Sequence, residues 1–262
     1  MGSRSQERGS KIRFAVKFTR PPQVDNRPLV AQRHAAQTVG RIRGDRVPGH
    51  CEHGNVGRAV GKGARLVEVT THELELEAYT QNHPDRCYHC KEELFETLEP
   101  VQHELGLQHL AYGATADDIG DHRPGHGSAV RRGVRFPLLE AGLAKADIRA
   151  AARTLGLPNW NKPSFACLSS RIPHGNEVTL EALRRIEAAE AAVKALGFRQ
   201  VRVRDHGDIA RIEVEPHEIP RLVEQRETVV DALRRAGYKF VSLDLEGYAT
   251  GSLNRTWKPS GR

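Results

Sequence analysis

The sequence predicts an α/β protein in which a parallel α/β layer is followed by a smaller α+β domain. Between residues 64 and 158, strand-like runs alternate with helix-like runs, which is typical of a parallel sheet covered by helices. From Thr179 onward the order is helix, strand, strand, helix, strand, which favours a mixed or antiparallel sheet. The first 60 residues differ in composition from both regions and show little periodicity.

The alternating region is predicted element by element. Residues 65–69 predict a strand. Apolar residues at 94, 95, 98, 101 and 105 predict a helix over 87–105, in which Pro100 favours a break and Gly106 a cap. Residues 109–112 predict a strand that leads into the acidic loop after Gly113. An amphipathic helix is predicted over 145–155, closed by Gly156-Leu157-Pro158.

The second region gives clearer patterns. Thr179 is a good N-cap for a helix predicted over 179–196. Residues 200–204 and 209–214 alternate as two strands. A second helix is predicted over 219–237 and a third strand over 240–245. Arg202 and Arg204 share one face of their strand, and Glu213 lies on the neighbouring strand. This face is either a binding surface for phosphate or carboxylate, which arginine forks match, or a solvated face with cross-strand ion pairs.

The basic character of the chain is confined to its N-terminal segment. Residues 1–65 hold 14 Lys and Arg against 4 Asp and Glu, whereas the remainder is slightly acidic. The segment is either a nucleic-acid-binding arm or a basic leader, and the absence of a recognition motif argues against nucleic acid as a partner. A strand over 12–18 and a short helix over 31–39 are predicted there. No apolar run approaches the roughly 18 residues of a membrane span, so we expect a cytoplasmic protein with no membrane partner.

Three of the four cysteines indicate chemistry. Cys87 and Cys90 form a Cys-x-x-Cys pair, which holds a metal or cluster or performs redox reactions. Cys167 either completes a three-thiolate site or acts alone as a nucleophile. Since the fourth cysteine is Cys51, a structural zinc site with four cysteines is a further alternative.

Two polar segments are candidate ligand contacts. Ser169, Ser170 and Arg171 directly follow Cys167, where hydroxyls and a guanidinium suit phosphate and favour a thiolate; the alternative is an ordinary turn. Asp117, Asp118, Asp121, His122 and Arg123 follow a predicted strand end, where α/β sheets bind ligands. Carboxylates there suit Mg²⁺ and Arg123 suits phosphate; the alternative is a polar surface loop.

From about residue 62 to 254 the chain resembles the LarE-type ATP-dependent sulfur transferases of the PP-loop (adenine nucleotide alpha-hydrolase) superfamily. The matching segments are Arg-Cys-Tyr-His-Cys-Lys at 86–91, Asp-Asp-Ile-Gly-Asp-His-Arg-Pro-Gly at 117–125, the stretch 162–175 around Cys167, Val-Arg-Val-Arg at 201–204, 206–213, and Leu-Asp-Leu-Glu-Gly-Tyr at 243–248. The resemblance covers nearly three quarters of the chain.

The resemblance implies a Rossmann-like PP-loop (HUP-type) parallel sheet, incomplete at its N-terminus, over residues 61–158. A sulfur-transferase and substrate-binding domain would follow over 159–255, flanked by an atypical segment 1–60 and a tail 256–262. By resemblance, Cys167 is the catalytic sulfur-site residue, and Gly113, Asp117 and Arg123 lie on the nucleotide side. The residues that would line the substrate pocket are Ser170, Arg171, Glu190, Arg202, Arg204 and Glu213.

The implied reaction belongs to nickel-pincer cofactor synthesis. ATP, with Mg²⁺, adenylates a carboxylate of a pyridinium biscarboxylate mononucleotide, and a sulfur atom then displaces AMP to leave a thiocarboxylate. One branch of the family gives up its own cysteine sulfur. Another holds a 4Fe–4S cluster on three cysteines, and having Cys87, Cys90 and Cys167 this chain resembles that branch. Three thiolates leave one iron open for a removable sulfide. The family also implies a homo-oligomer.

The sequence departs from the family in two places. The family's Ser-Gly-Gly-x-Asp-Ser loop, which holds the ATP pyrophosphate, has no match in residues 1–60, and Pro21 and Pro22 remove backbone donors where it should begin. Ala249 stands where the family tends to carry arginine. We hypothesise that residues 19–60 are frameshifted or decayed, and we expect weak adenylation. The alternatives are a non-catalytic iron–sulfur or zinc-binding relative, or a basic-armed nucleic-acid binder that keeps a zinc site.

Overall fold

The computed structural model describes residues 10–14, 39–41, 66–119, 124–162 and 166–249. They divide into two compact units. The first contains the described residues up to Glu73 together with Cys87–Lys162, and the second contains Leu74–Arg86 and the described residues from 166 onward. The strands are β1 (Ser10–Phe14), β2 (Val39–Arg41), β3 (Leu66–Thr71), β4 (Val201–His206), β5 (Ile209–Val214) and β6 (Phe240–Leu243).

The helices are α1 (Glu77–Thr80), α2 (Arg86–Glu104), α3 (Pro124–Arg131), α4 (Pro137–Glu140), α5 (Lys145–Thr154), α6 (Leu180–Ala195), α7 (Ile219–Glu224) and α8 (Arg226–Arg235). Short 3₁₀ turns cover Glu73–Glu75, Ala116–Asp118, Leu168–Arg171 and Pro216–Glu218. In the described part of the chain, no helix is both long and apolar enough to cross a membrane. The hypothesis about residues 19–60 concerns a stretch of which only β2 is described, and the helix predicted over 31–39 lies outside the described residues except for Val39, which begins β2.

The first unit mixes helices with a small sheet whose strands are not all parallel. β1 runs antiparallel to β3, with Ser10 opposite Thr71 and Phe14 opposite Val67, while β2 runs parallel to β3. The mixture of helices and sheet is compatible with the predicted α/β class. The predicted parallel pairing is found between β2 and β3 but not between β1 and β3, and a complete Rossmann-like sheet is not shown among the described residues. The strand predicted over 109–112 is reduced to a single bridge between Ala111 and Arg135.

Helix α2 positions the Cys-x-x-Cys pair. Its buried face presents Leu94, Phe95 and Leu98 to the core of the first unit. The helix continues through Pro100, contrary to the predicted break. Proline removes one backbone hydrogen bond from a helix, and Pro100 is exposed and lies four residues before the helix ends. The apolar side chains buried by the preceding turns stabilise the helix by more than this lost bond costs.

The second unit is a three-stranded sheet packed against helices, as predicted. β4 and β5 are antiparallel around a turn in which Gly207 has a φ of 71°, and β6 pairs in parallel with β5. The Thr179 hydroxyl accepts from the Ala182 N–H at 3.1 Å and caps α6. The helix predicted over 219–237 is instead α7 and α8, because Gln225 between them leaves helical geometry. The core consists of Ala189, Val193, Phe198, Val201, Val203, Ala210, Ile212, Val214, Leu222, Val229, Ala232, Leu233 and Tyr238.

Candidate thiol and anion site

Cys167 lies at the start of a tight turn in the second unit. It directly precedes the 3₁₀ helix Leu168–Arg171, and its carbonyl accepts from the Ser170 N–H at 3.0 Å. The Ser169 hydroxyl donates to Cys167 Sγ at 3.2 Å. The cysteine as a whole is half-buried.

The surroundings of this thiol favour its thiolate. Burial opposes ionisation, but the charge of Arg86, the Ser169 hydroxyl, the charge of Arg171 and the Ser170 N–H together outweigh it. The pKa of Cys167 therefore lies below its usual value. A thiolate is the nucleophilic form of cysteine, so the lowered pKa favours the nucleophilic form of this thiol.

Arg171 and Glu190 join the thiol turn to helix α6. The Arg171 guanidinium donates to both carboxylate oxygens of Glu190, at 2.7 and 3.2 Å, and both side chains are fully buried. Arg171 also donates to the carbonyls of Ala166 and Cys167 at 2.9 and 3.0 Å. Burial raises the pKa of Glu190, but the bond and charge of Arg171 outweigh it, so the net pKa lies below the usual value. This buried ion pair fixes the turn.

Strands β4 and β5 supply a second buried pair. Arg204 donates to both oxygens of Glu213 at 2.9 and 2.6 Å, and its remaining nitrogen donates to the Ser170 carbonyl at 3.0 Å. Arg202 lies opposite Glu213 in the register, and its guanidinium stacks over the Tyr248 ring at 5.2 Å. The face predicted from the two-residue spacing therefore exists, and it carries a cross-strand ion pair next to the thiol turn.

Four buried arginines gather around the thiol turn and the neighbouring strands. They are Arg86, Arg171, Arg202 and Arg204. Burial, and then the charge of Arg171, lower the pKa of Arg202 below its usual value. A lowered arginine pKa means that the surroundings disfavour further positive charge. An anionic ligand would offset this cost, and guanidinium groups match phosphate and carboxylate oxygens.

The Cys-x-x-Cys pair lies in the first unit. Cys87 and Cys90 occupy the first turn of α2, where a spacing of three residues places both on one face of the helix. Cys87 is exposed and Cys90 half-buried. Two thiols on one helical face are a donor set that fits an iron–sulfur cluster. Among the described residues, no group of three or more His, Cys, Asp or Glu side chains is arranged to hold a metal ion, so the three-cysteine site stays a prediction. Cys51 lies outside the described residues.

Gly125 on α3 packs directly against this turn of α2. A Cβ at Gly125 would lie 2.8 Å from Lys91 Cγ and 2.9 Å from the Cys87 carbonyl oxygen. We expect Gly125→Ala to lower the free energy of unfolding by about 1–2 kcal/mol, because the backbone must shift. Gly127→Ala in the same helix is the matched control, since its Cβ would meet nothing within 4 Å and alanine favours helix. Urea unfolding of the wild type and both variants measures the free energy of unfolding. A Gly125→Ala protein as stable as the wild type would show that the close approach of α3 to α2 at Gly125 does not require glycine.

The acidic loop makes structural contacts. The Asp117 carboxylate accepts from the Lys145 N–H at the start of α5 at 2.5 Å, and the Asp118 carboxylate accepts from the Thr115 N–H at 3.0 Å. A Cβ on Gly113 would meet no atom within 4 Å, so packing does not require glycine there. Arg123 lies outside the described residues. The nucleotide-side roles of Gly113, Asp117 and Arg123 stay predictions.

Sequence reasoning missed the segment that supports the thiol turn from the other side. Buried Asn82 donates from Nδ2 to the carbonyls of Ile172, Pro173 and Asn176 at 3.2, 2.8 and 2.9 Å. Arg86 donates to the Asn82 side chain and to the Ser169 carbonyl, the latter at 3.0 Å. Apart from the bond between Arg86 and Asn82, these contacts join residues more than 80 positions apart. The one hint in the sequence is that Arg86 lies beside Cys87.

The geometry defines a protein in which a thiol with a lowered pKa lies beside buried arginines. A scan against protein-family models finds none that matches. Among curated proteins, the chain is 36% identical over 194 residues to the pyridinium-3,5-bisthiocarboxylic acid mononucleotide synthase of Lactiplantibacillus plantarum, covering 74% of this chain and 70% of that enzyme. It is 43% identical over 189 residues to an uncharacterised protein of Synechocystis, covering 71% and 70%. It is 27% identical over 175 residues to an uncharacterised protein of Methanocaldococcus jannaschii, covering 67% and 68%.

The chain belongs to the LarE-type family of pyridinium-3,5-bisthiocarboxylic acid mononucleotide synthases. The resemblance found in the sequence is thereby confirmed at the level of the family. The three-cysteine branch and the missing PP-loop motif stay predictions.

Proposed function

We propose that this protein transfers sulfur to a carboxylate of a pyridinium biscarboxylate mononucleotide, giving a thiocarboxylate for a nickel-pincer cofactor. The observation that carries the proposal is the position of Cys167 within buried arginines, in a chain of this family. The substrate bears a phosphate and two carboxylates, and buried guanidiniums recognise both groups.

Each residue of the site has a proposed role. Arg202 and Arg204 attract the phosphate or carboxylates of the mononucleotide, and Ser170 offers a hydroxyl beside them. Arg171 and Glu190 hold the turn so that the sulfur faces the substrate, and Glu213 orients Arg204. Because these groups are fixed before the substrate arrives, little reorganisation is needed when charge develops in the reaction.

The proposed chemistry proceeds in two stages. A substrate carboxylate oxygen attacks the α-phosphorus of ATP, which forms an acyl adenylate and releases pyrophosphate. The acyl carbon then accepts a sulfur nucleophile, its bond to the adenylate oxygen breaks, and AMP leaves with the electron pair. If the sulfur is that of Cys167, the thiocarboxylate departs by β-elimination, in which a base removes the Cα proton, the Cβ–S bond breaks and dehydroalanine remains.

The iron–sulfur alternative changes the source of sulfur. A 4Fe–4S cluster held by Cys87, Cys90 and Cys167 would supply a removable sulfide, and Cys167 would survive turnover. The first stage also needs a pyrophosphate-binding loop, and residues 1–60 carry no Ser-Gly-Gly-x-Asp-Ser motif. We therefore propose that adenylation is weak in this chain, whereas the thiol and anion site is intact.

The test incubates the full chain, purified without oxygen, with the biscarboxylate mononucleotide, ATP and Mg²⁺, and measures thiocarboxylate, AMP and pyrophosphate by mass spectrometry. We expect thiocarboxylate from the wild type and less than about a thousandth of that rate from Cys167→Ala, because the sulfur-bearing residue is removed. Glu181→Gln, on the exposed start of α6, should retain the wild-type rate. Undiminished product from Cys167→Ala would overturn the assignment.

Metal analysis separates the remaining alternatives. About four iron atoms per chain support the cluster, whereas one zinc supports a structural site. Conversion of residue 167 to dehydroalanine during turnover supports the cysteine as the sulfur source. Rapid AMP formation from ATP would contradict the proposed weakness in adenylation.

A further inference from the structure

We propose that Ser169 is a positioning residue for the sulfur of Cys167, and that Tyr79 sets the direction of its hydrogen bond. The inference rests on the proposed function, since it takes Cys167 as the sulfur-bearing residue. Neither Ser169 nor Tyr79 was among the site residues that the family resemblance implies.

Three side chains form a directed hydrogen-bond chain. The Tyr79 hydroxyl donates to Ser169 Oγ at 3.2 Å, and Ser169 Oγ donates to Cys167 Sγ at 3.2 Å. A serine hydroxyl has a single proton, and its lone pairs accept. Since Tyr79 supplies the proton that Ser169 accepts, the proton of Ser169 is left to point at the sulfur.

Burial of Tyr79 and Ser169 fixes the donor direction of these two hydrogen bonds. Tyr79 and Ser169 are each only 1% exposed, so bulk water cannot replace either partner. An unmade hydrogen bond costs a buried hydroxyl more than it would cost at a surface. The Ser169 hydroxyl is therefore held toward Cys167 in the resting protein.

The backbone of Ser169 is fixed as well. Arg86 donates hydrogen bonds to the Ser169 carbonyl and to the Asn82 side chain. Asn82 in turn donates from Nδ2 to three backbone carbonyls within residues 172–176. Asn82 has a φ of 57°, in the left-handed region that asparagine tolerates better than most residues. A backbone held in that region by several contacts is common near functional groups. The segment 79–86 thus clamps the turn that carries Cys167.

This arrangement gives Ser169 and Ser170 different tasks. Ser170 Oγ accepts from Arg171 at 3.1 Å, beside the guanidiniums proposed to bind the mononucleotide. Ser169 instead contacts the reacting atom through its hydroxyl. Loss of Ser169 should therefore slow sulfur transfer, whereas loss of Ser170 should weaken substrate binding.

The experiment compares Ser169→Ala and Ser170→Ala in the full chain. The reaction is started from preformed acyl adenylate of the mononucleotide, so that sulfur transfer is measured apart from adenylation. For Ser169→Ala we expect the maximal rate constant of thiocarboxylate formation in a single turnover to fall about 10- to 100-fold, with the concentration for half-maximal rate unchanged, since one hydrogen bond to a charged atom is lost. For Ser170→Ala we expect mainly a higher half-maximal concentration. An unchanged maximal rate constant for Ser169→Ala would overturn the proposal.

A second readout does not depend on activity. In metal-free, reduced protein labelled with ¹³C at the cysteine Cβ, the Cys167 resonance is assigned by its loss in Cys167→Ser. The Cys167 chemical shift should change in Ser169→Ala and in Tyr79→Phe. In the Ser169→Ala background, Tyr79→Phe should have no further effect on this chemical shift, because Tyr79 acts on the sulfur through the Ser169 hydroxyl. Equal effects of Tyr79→Phe in both backgrounds would mean a general packing role and would contradict the proposal. If the wild type forms no thiocarboxylate, the proposed function fails while this spectroscopic arm still decides the positioning role.

Discussion

Replacing Glu190 with glutamine is expected to lower the free energy of unfolding by about 3 kcal/mol at pH 7, because the change removes one partner of a buried ion pair. The carboxylate accepts from Arg171, from Lys194 Nζ at 3.1 Å and from the Val203 N–H at 3.2 Å. Glutamine keeps the shape but not the charge, so the fully buried Arg171 loses its counter-ion. The same variant should lose sulfur transfer, since the thiol turn is tied to α6 through this pair.

The effect of Glu190→Gln should depend on pH in a defined direction. The pKa of Glu190 in the folded protein lies below its ordinary value of 4.5, so its contribution is fully present above that value. As pH falls through the folded pKa, the carboxylate takes up a proton and the contribution is lost. The stability difference between wild type and variant should therefore be largest at neutral pH and should shrink in acid.

Chemical unfolding of both proteins at pH 7 and at pH 3.5 measures this difference. Glu181→Gln is the control, because Glu181 is an exposed glutamate of the same helix and should change stability by less than about 1 kcal/mol. A difference that stays constant with pH would show that packing, and not charge, is what Glu190 contributes.

The second unit was the more predictable part of the fold. Its alternating strands, the Thr179 cap and the turn at Gly207 are local signals, and the structure places β4, β5, β6 and α6 close to the predicted positions. Arg202, Arg204 and Glu213 share a region because strand geometry fixes side-chain direction. The pairing of Arg204 with Glu213, diagonal to the register, depends on side-chain reach that a sequence does not state.

Predictions failed where tertiary contacts override local preference. The strand expected at 109–112 forms only a bridge, which consists of two backbone hydrogen bonds, from the Tyr112 N–H to the Arg135 carbonyl and from the Arg135 N–H to the Leu110 carbonyl. The long helix expected at 219–237 breaks at Gln225 without a glycine or proline at the break. The support of Ser169 by Tyr79, Asn82 and Arg86 joins distant parts of the chain, and no spacing rule connects them.

Glu93 provides the opposite case, a buried carboxylate that should destabilise the protein when charged. It lies on α2, where Oε1 accepts from the His72 N–H at 2.7 Å and more weakly from Thr97. Its Oε2 is buried with no hydrogen-bond partner within the part of the chain that the structure describes. Burial, offset in part by the His72 N–H and reinforced by the charge of Glu73, raises the pKa of Glu93 to about 7.

The direction of the pH dependence follows from this raised pKa. An unfolded chain releases the proton near the ordinary value of 4.5, whereas the folded chain holds it until about 7. Stability should therefore decline as pH rises from about 4.5 to about 7 and stay lower above that range. The direction of this pH dependence is opposite to that for Glu190, whose contribution to stability is lost as the pH falls. Glu190 lies in the other unit.

We expect Glu93→Gln to raise the free energy of unfolding at pH 8 by about 2–3 kcal/mol and to change it little at pH 4, since glutamine is neutral at both values. Glu96→Gln on the same helix is the matched control, because Glu96 is exposed and its ion pair with Arg132 contributes less than about 1 kcal/mol. Urea unfolding at the two pH values measures both variants. A Glu93→Gln protein that is less stable than the wild type at pH 8 would show that the carboxylate is charged and satisfied in the folded state, by a partner beyond the described residues or by a bound cation.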